Sequence, residues 1–165
     1  MKSMDIRKST KSDLADILQI YAYAREQMRI NGNPSQWGSN RPAREVIIKD
    51  IEDGNSYVIE DHGKICGVFS FIIGVEPTYH IIENGVWENE DPYGTIHRIA
   101  GNGTGKGVLE ACLKYCEQQI PNIRIDTHSD NLIMQHLLHK FGYVKCGTIY
   151  VEDESPRIAY QKKVM

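Results

Sequence analysis

No apolar run in this 165-residue chain approaches the roughly 18 residues that a membrane-crossing helix needs. The opening residues, Met1-Lys2-Ser3-Met4-Asp5, hold no apolar signal core, so a soluble protein without a secretory leader is expected. No CxxC pair occurs. Cys66 sits in an apolar strand-like run, Cys112 and Cys116 lie four apart in a helix, and Cys146 precedes a glycine. The four cysteines therefore read as reduced, mostly buried thiols of a cytoplasmic protein. An excess of positive charge is also missing: the net charge of −3 argues against a general nucleic-acid binder. Repeats, low-complexity tracts and linkers are absent, which points to one domain over residues 1–165, large enough to bury roughly two-thirds of its unfolded surface.

What is present is an alternation of elements. Met4 to Ser9 reads as a short strand. Thr10-Lys11-Ser12-Asp13 supplies cap chemistry for a helix through about Arg29, with Leu14, Ile17, Leu18, Tyr21 and Ala24 on one face. Asn31-Gly32-Asn33-Pro34 stops it, and Pro42 opens a second helix ending near Gly54. Tyr57–Glu60 and Ile65–Ile73 read as a hairpin turning at Asp61-His62-Gly63. Residues 74–94 form a polar, partly strand-like excursion. A strand at Thr95–Ala100, a helix to Gln119, a strand at Asn122–Thr127, a helix at Leu132–Phe141 and a closing pair, Tyr143–Val151 and Arg157–Lys163, complete the chain. Strands and helices in this order indicate a mixed α/β (α+β) domain around a central sheet.

One stretch carries more chemistry than the rest. The run Gly101-Asn102-Gly103-Thr104-Gly105-Lys106-Gly107 links a strand to an amphipathic helix. Glycines let bare backbone N–H groups crowd a ligand, and the helix N-terminus adds its positive dipole end, so an anion site for phosphates competes with a flexible turn. A P-loop does not fit, because Ala100 stands where its first glycine belongs and Gly107, not Ser or Thr, follows Lys106. The dinucleotide fingerprint fails as well, with Lys106 or Glu110 at the position of its third glycine. A loop gripping the pyrophosphate of coenzyme A is the third possibility for a phosphate-binding run of this kind.

Two segments carry a resemblance. Thr104-Gly105-Lys106-Gly107-Val108-Leu109 partly matches an Arg/Gln-x-x-Gly-x-Gly/Ala pattern, with Gly107 in register but Thr104 and Leu109 departing from it. Arg124-Ile125-Asp126-Thr127-His128-Ser129-Asp130-Asn131 and the following helix to Lys140-Phe141-Gly142-Tyr143 follow a strand, then Asn, then a helix ending Lys-x-Gly-Phe. In this order and spacing the chain resembles the GNAT superfamily of N-acetyltransferases over essentially its whole length. The resemblance implies the acyl-CoA N-acyltransferase fold: a mixed central sheet of about six or seven strands, splayed between the fourth and fifth, with about four flanking helices.

It also implies a site. Acetyl-CoA would be the acyl-donor cosubstrate, its pantetheine arm lying in the split like an added strand against Ile99 and Ala100. The amides of Gly103, Thr104, Gly105, Lys106, Gly107 and Val108 would hold the pyrophosphate. Asn131 would bond the pantetheine, cap the following helix, or do both. Aminolysis requires a neutral amine, and deprotonating a lysine-like amine at pH 7 costs roughly 4–5 kcal/mol, so a general base is sought. Candidates are His97, His128, Asp91 and Asp126, with a satisfied core histidine the alternative for His97. The family's tyrosine acid is replaced by Leu138, with Leu137 before it, and Tyr143 and Tyr150 are the nearby substitutes, each equally a packing residue. The general acid stays unassigned.

Weaker constellations complete the reading. His136 and His139, three apart on a helix, together with His128 do not make a convincing metal set, and no metal is expected. Glu152-Asp153-Glu154 is a solvated hairpin tip or a steering patch for a cationic amine. Trp37, Tyr79 and Trp87 border the acceptor cleft or pack in the core. The expected partner is a small-molecule or peptide amine, with no nucleic acid, no membrane and an open question of a homodimer. A non-catalytic acyl-CoA-binding module of the same fold is the alternative function.

Overall fold

The computed structural model describes residues 4–164, so the Met1-Lys2-Ser3 part of the leader reading lies outside the described residues. Seven strands form one sheet: β1 (Asp5–Lys8), β2 (Ser56–Asp61), β3 (Lys64–Ile73), β4 (Gly94–Gly101), β5 (Asn122–Thr127), β6 (Val144–Tyr150) and β7 (Pro156–Lys163). Their spatial order is β1-β2-β3-β4-β5-β7-β6. Four helices accompany them: α1 (Leu14–Ile30), α2 (Arg44–Glu52), α3 (Val108–Gln119) and α4 (Leu132–Lys140). No helix among the described residues is long and apolar enough to cross a membrane.

Local chemistry explains several boundaries. Asp13 accepts from the Thr10 backbone N–H at 2.7 Å, so a short 3-10 turn leads into α1. His62 and Gly63 carry positive φ values of 55° and 78°, as a two-residue hairpin turn demands, and join β2 to β3 at the place the sequence marks. The second helix starts later than expected. Ala43 is extended, at φ −68° and ψ 151°, and α2 begins at Arg44 rather than Pro42.

Alternation along the strands sends apolar residues to both faces. Ile96, Ile123, Ile125, Phe69 and Phe71 pack with Leu109, Cys112, Leu113 and Leu138 beneath α3 and α4. Val58, Val68 and Ala100 pack under α1 and α2 with Ile17, Ile20, Tyr21 and Ile47. The excursion between β3 and β4 supplies a third cluster, Tyr79, Trp87 and Tyr93 against Cys146, Ile149 and Ala159. Arg124, only 2% exposed, anchors that cover. Its guanidinium lies 4.1 Å from the centroid of Trp87 and 4.0 Å from that of Tyr93, and donates to the Asn89 carbonyl at 2.7 Å. All four cysteines are free and buried.

The sheet opens where β4 meets β5. This parallel pair is joined only at Gly94–Ile123, Thr95–Arg124 and Ile96–Ile125. β4 then runs five residues further, to Gly101, and β5 two further, to Thr127, with no pairing between them. On its other side β4 stays bound to β3, with an irregularity between the Val68–Ala100 and Ser70–His97 pairs. Arg98 takes up that irregularity at φ 55°, an uncommon conformation for a non-glycine residue. It is held from α1 and α2: the Tyr21 hydroxyl donates to its carbonyl at 2.8 Å, and Asp50 accepts its guanidinium at 2.8 and 2.9 Å.

Candidate active site

His97 and Asp126 are the first residues past the last ladder pair, so they stand at the apex of the split. Their neighbours Ile96 and Ile125 belong to the core under α3, and alternation therefore puts His97 and Asp126 on the opposite face. The excursion holds both. Glu76 Oε1 lies 2.9 Å from His97 Nε2. Tyr79, three residues later, donates its hydroxyl to Asp126 Oδ2 at 2.6 Å.

The electrostatics distinguish the two carboxyls. Burial opposes the charge on Glu76, yet hydrogen bonds from His97 and from the backbone and hydroxyl of Thr78 outweigh it and hold the carboxyl at about 2. Burial pushes the Asp126 carboxyl up, and Tyr79, His97 and Arg157 offset only part of that rise. Glu76 is thus a fixed anion. Asp126 is a masked one, already spending an oxygen on Tyr79. Burial, reinforced by Asp126, drives the Tyr79 phenol well above its ordinary value, which removes it as a proton donor.

The other candidates divide. His128 follows β5, and burial together with the charge of Arg157 lowers its pKa. Its Nδ1 accepts from the Asp130 backbone N–H at 3.0 Å, so only Nε2 is left to face a ligand. Asp91 does not join the group. It precedes the paired end of β4, is exposed, and binds Lys163 at 2.6 Å. Leu138 is fully buried in the α3–α4 core. Tyr143 spends its hydroxyl on Glu117 at 2.8 Å and Tyr150 spends its own on Glu83 at 3.0 Å, so neither turns toward the split. His136 and His139 are exposed, and among the described residues no group of His, Cys, Asp and Glu is arranged to hold a metal.

Tyr79 and Trp87 are core residues rather than cleft walls, whereas Trp37 packs edge-on against Tyr21, its ring centroid 5.5 Å away. Arg157, on β7, is 6% exposed and donates to the Gln36 carbonyl at 3.1 Å, bringing the α1–α2 connection to the apex. Sequence reasoning missed Glu76, Arg157 and Gln36. Glu76 left one local trace: an acidic residue before Pro77 with Thr78 after it, the pattern of a capped turn.

Beyond the apex the open strands border a cleft of about 210 Å³, lined by Ile99, Ala100 and Gly101, by Asn131, Leu132 and Ile133, and by the end of α1. Leu132 and Ile133 are 71% and 56% exposed there. At its end the glycine loop curls into α3, with Gly107 capping the helix at φ 80°. Thr104 departs from expectation: its N–H and hydroxyl both donate to Asn102 Oδ1, at 3.0 and 2.6 Å, so the amide is already occupied. The amides of Gly105, Lys106, Gly107 and Val108 make no hydrogen bond among the described residues. Lys106 is exposed. Asn131 is committed too. Its Oδ1 accepts from Met134 N at 3.1 Å, and its Nδ2 donates to Gln36 Oε1 at 3.0 Å.

A mixed seven-stranded sheet parted between parallel β4 and β5, with a glycine loop before α3, defines an acyl-CoA N-acyltransferase architecture. The acetyltransferase (GNAT) family profile matches residues 17–143, and the chain belongs to that family. A GNAT-family acetyltransferase from Streptococcus agalactiae 2603 is similar at 31% identity, over 99% of this chain and 97% of that one, with a TM-score of 0.90. A provisionally named acetyltransferase from Staphylococcus aureus Mu50 follows at 26% identity, over 97% and 99% of the two chains, with a TM-score of 0.70. The ribosomal-protein-alanine N-acetyltransferase of Brucella melitensis shares the fold, at 18% identity over 97% and 99% of the chains and a TM-score of 0.61. No curated protein sequence matches significantly.

Proposed function

We propose that the protein, as one domain, transfers the acetyl group of acetyl-CoA to a primary amine of a small molecule or peptide, by direct attack within a ternary complex. The observation that carries this reading is the parting of β4 from β5 immediately before His97 and Asp126, with a cleft farther along the open strands lined by Ile99, Ala100, Gly101 and Asn131. The residues present fit the coenzyme. An unpaired strand edge from His97 to Gly101 offers backbone partners to an extended amide chain, in the manner of an added strand. Four unengaged amides at the start of α3 suit a diphosphate, with the helix dipole contributing about 0.3–1 kcal/mol. Exposed Leu132 and Ile133 gain an apolar cover.

Bound acetyl-CoA supplies an activated thioester. His97 is the base: Nε2 is engaged by Glu76, so Nδ1 is the ring nitrogen left to take the proton of the incoming amine, directly or through one water. Glu76 is a positioning residue, fixing the ring through a carboxylate that stays charged at any working pH. The Arg98 bulge, clamped by Tyr21 and Asp50, sets how the open edge of β4 is presented to the acyl group. No residue is assigned as general acid. None is required, because a thiol of pKa about 8.5 leaves as thiolate at pH 7 for about 2 kcal/mol.

The test is thiol release from acetyl-CoA over a panel of amines, run beside calorimetry with the coenzyme. Acetyl-CoA binding with turnover of at least one amine supports the reading. Tight binding with no transfer to any amine would favour a non-catalytic acyl-CoA-binding module instead.

A further inference from the structure

Three side-chain amides meet where the α1–α2 connection crosses the cleft, and their orientation follows from a single backbone group. The Asn131 Oδ1 atom caps Met134 N–H at 3.1 Å, so its NH2 must face Gln36, 3.0 Å away. Gln36 therefore presents Oε1 there. The same oxygen receives Asn33 Nδ2 at 2.8 Å, which fixes the Asn33 amide as well. One atom is left over. Asn33 Oδ1 is buried with no hydrogen-bond partner, in a residue only 3% exposed.

Buried amide oxygens without a donor are uncommon, and each calls for a physical account. Asn33 lines the same cleft as Ile99, Ala100, Gly101 and Asn131. Asn131, to which the family resemblance gives the pantetheine contact, has both its polar groups engaged within the protein. Asn33 has not. We infer that Asn33 is a coenzyme-binding residue, its Oδ1 accepting an amide N–H of the pantetheine arm across the cleft from the free edge of β4. Gln36 holds the Asn33 amide in the required orientation, and the Gln36 carbonyl is in turn fixed by Arg157 at 3.1 Å. The assignment rests on the acetyl-CoA reading above and adds to it a wall of the cleft contributed by the α1–α2 connection.

Calorimetry on the full chain tests it with two probes, acetyl-CoA and adenosine 3′,5′-bisphosphate, which carries the nucleotide end without the pantetheine. Asn33→Leu is expected to weaken acetyl-CoA binding by about tenfold, the worth of one buried hydrogen bond, and to leave the bisphosphate affinity within about twofold. Asn33→Ala, which removes the same acceptor oxygen without adding bulk, is expected to show a loss of the same size and serves if the leucine variant does not fold. Unchanged acetyl-CoA binding in Asn33→Leu overturns the assignment. So does equal weakening of both probes, which would mark a general loosening of the connection, and so does acetyl-CoA binding in Asn33→Ala that matches the wild type. A wild-type protein that binds neither probe defeats the coenzyme reading itself, and this assignment with it, a result distinct from the other three.

Discussion

Replacing Arg124 by methionine tests whether a buried cation fastens the excursion that carries Glu76 and Tyr79 to the apex. The guanidinium is 2% exposed and lies about equally close to two aromatic rings. Desolvated cation–π contacts are worth up to about 2 kcal/mol each, and the charged donation to the Asn89 carbonyl adds about 1.5–3 kcal/mol. Against this gross gain of up to about 5.5–7 kcal/mol stands the burial of the charge, a penalty of several kcal/mol. That cost shows in two ways: burial lowers the Arg124 pKa, and its Nε has no partner. Methionine fills similar space without the penalty, so a net loss of about 2–3 kcal/mol is expected. For a chain of this length that lowers the midpoint of thermal unfolding by about 5–10 °C. Calorimetric or circular-dichroism melting checks it, and turnover should fall along with stability because the His97 and Asp126 partners ride on the same segment. A midpoint within about 2 °C of the wild type would refute the reasoning, showing that desolvation cancels both ring contacts.

Further outcomes follow from the site. His97→Gln should lower kcat by about 100-fold with little change in coenzyme affinity, in keeping with the loss of a general base; thiol-release kinetics and calorimetry read the two quantities separately. Gly107→Val places a β-branched residue at φ 80° and should weaken acetyl-CoA binding at least tenfold, again by calorimetry. Acid stability should depend on Glu76. Its carboxyl is lowered from 4.5 to about 2, so its contribution, about 3 kcal/mol at most, is fully present above about pH 4.5 and is lost as the pH falls toward 2. Denaturant unfolding at stepped pH should therefore show a shallower decline over that window in Glu76→Gln than in the wild type.

The parts of this molecule written in local pattern are legible in its sequence, and the parts written in distant contacts are not. The hairpin at His62-Gly63, the glycine loop into α3 and the capped start of α4 each rest on neighbours a few residues apart, and each falls where turn and cap chemistry puts it. The excursion is different. Residues 74–93 show neither period, because their burial comes from Arg124 and from the β6–β7 face, and their only regular pieces are a 3-10 turn at Pro77–Tyr79 and an isolated bridge. Glu76 is 21 residues from His97 in the chain, and Gln36 is 95 from Asn131, separations over which no spacing rule operates. Asp91 illustrates the converse. It stands near His97 in sequence, but strand geometry carries it to the far side of the paired segment, where Lys163 takes its charge.

The isolated bridge between Glu83 and Thr148 has a consequence for how copies of this chain meet. A Cβ on Gly85 would fall 1.9 Å from the Cys146 carbonyl, and one on Gly147 would fall 2.5 Å from that of Glu83, so bare backbone on both sides lets the bridging segment lie flush along β6. The outermost strand is thus partly sealed against recruitment of a foreign strand, while the opposite border, β1, is four residues long and three of them are charged. Among the described residues, each margin of the sheet thus carries a feature that disfavours the addition of a further strand.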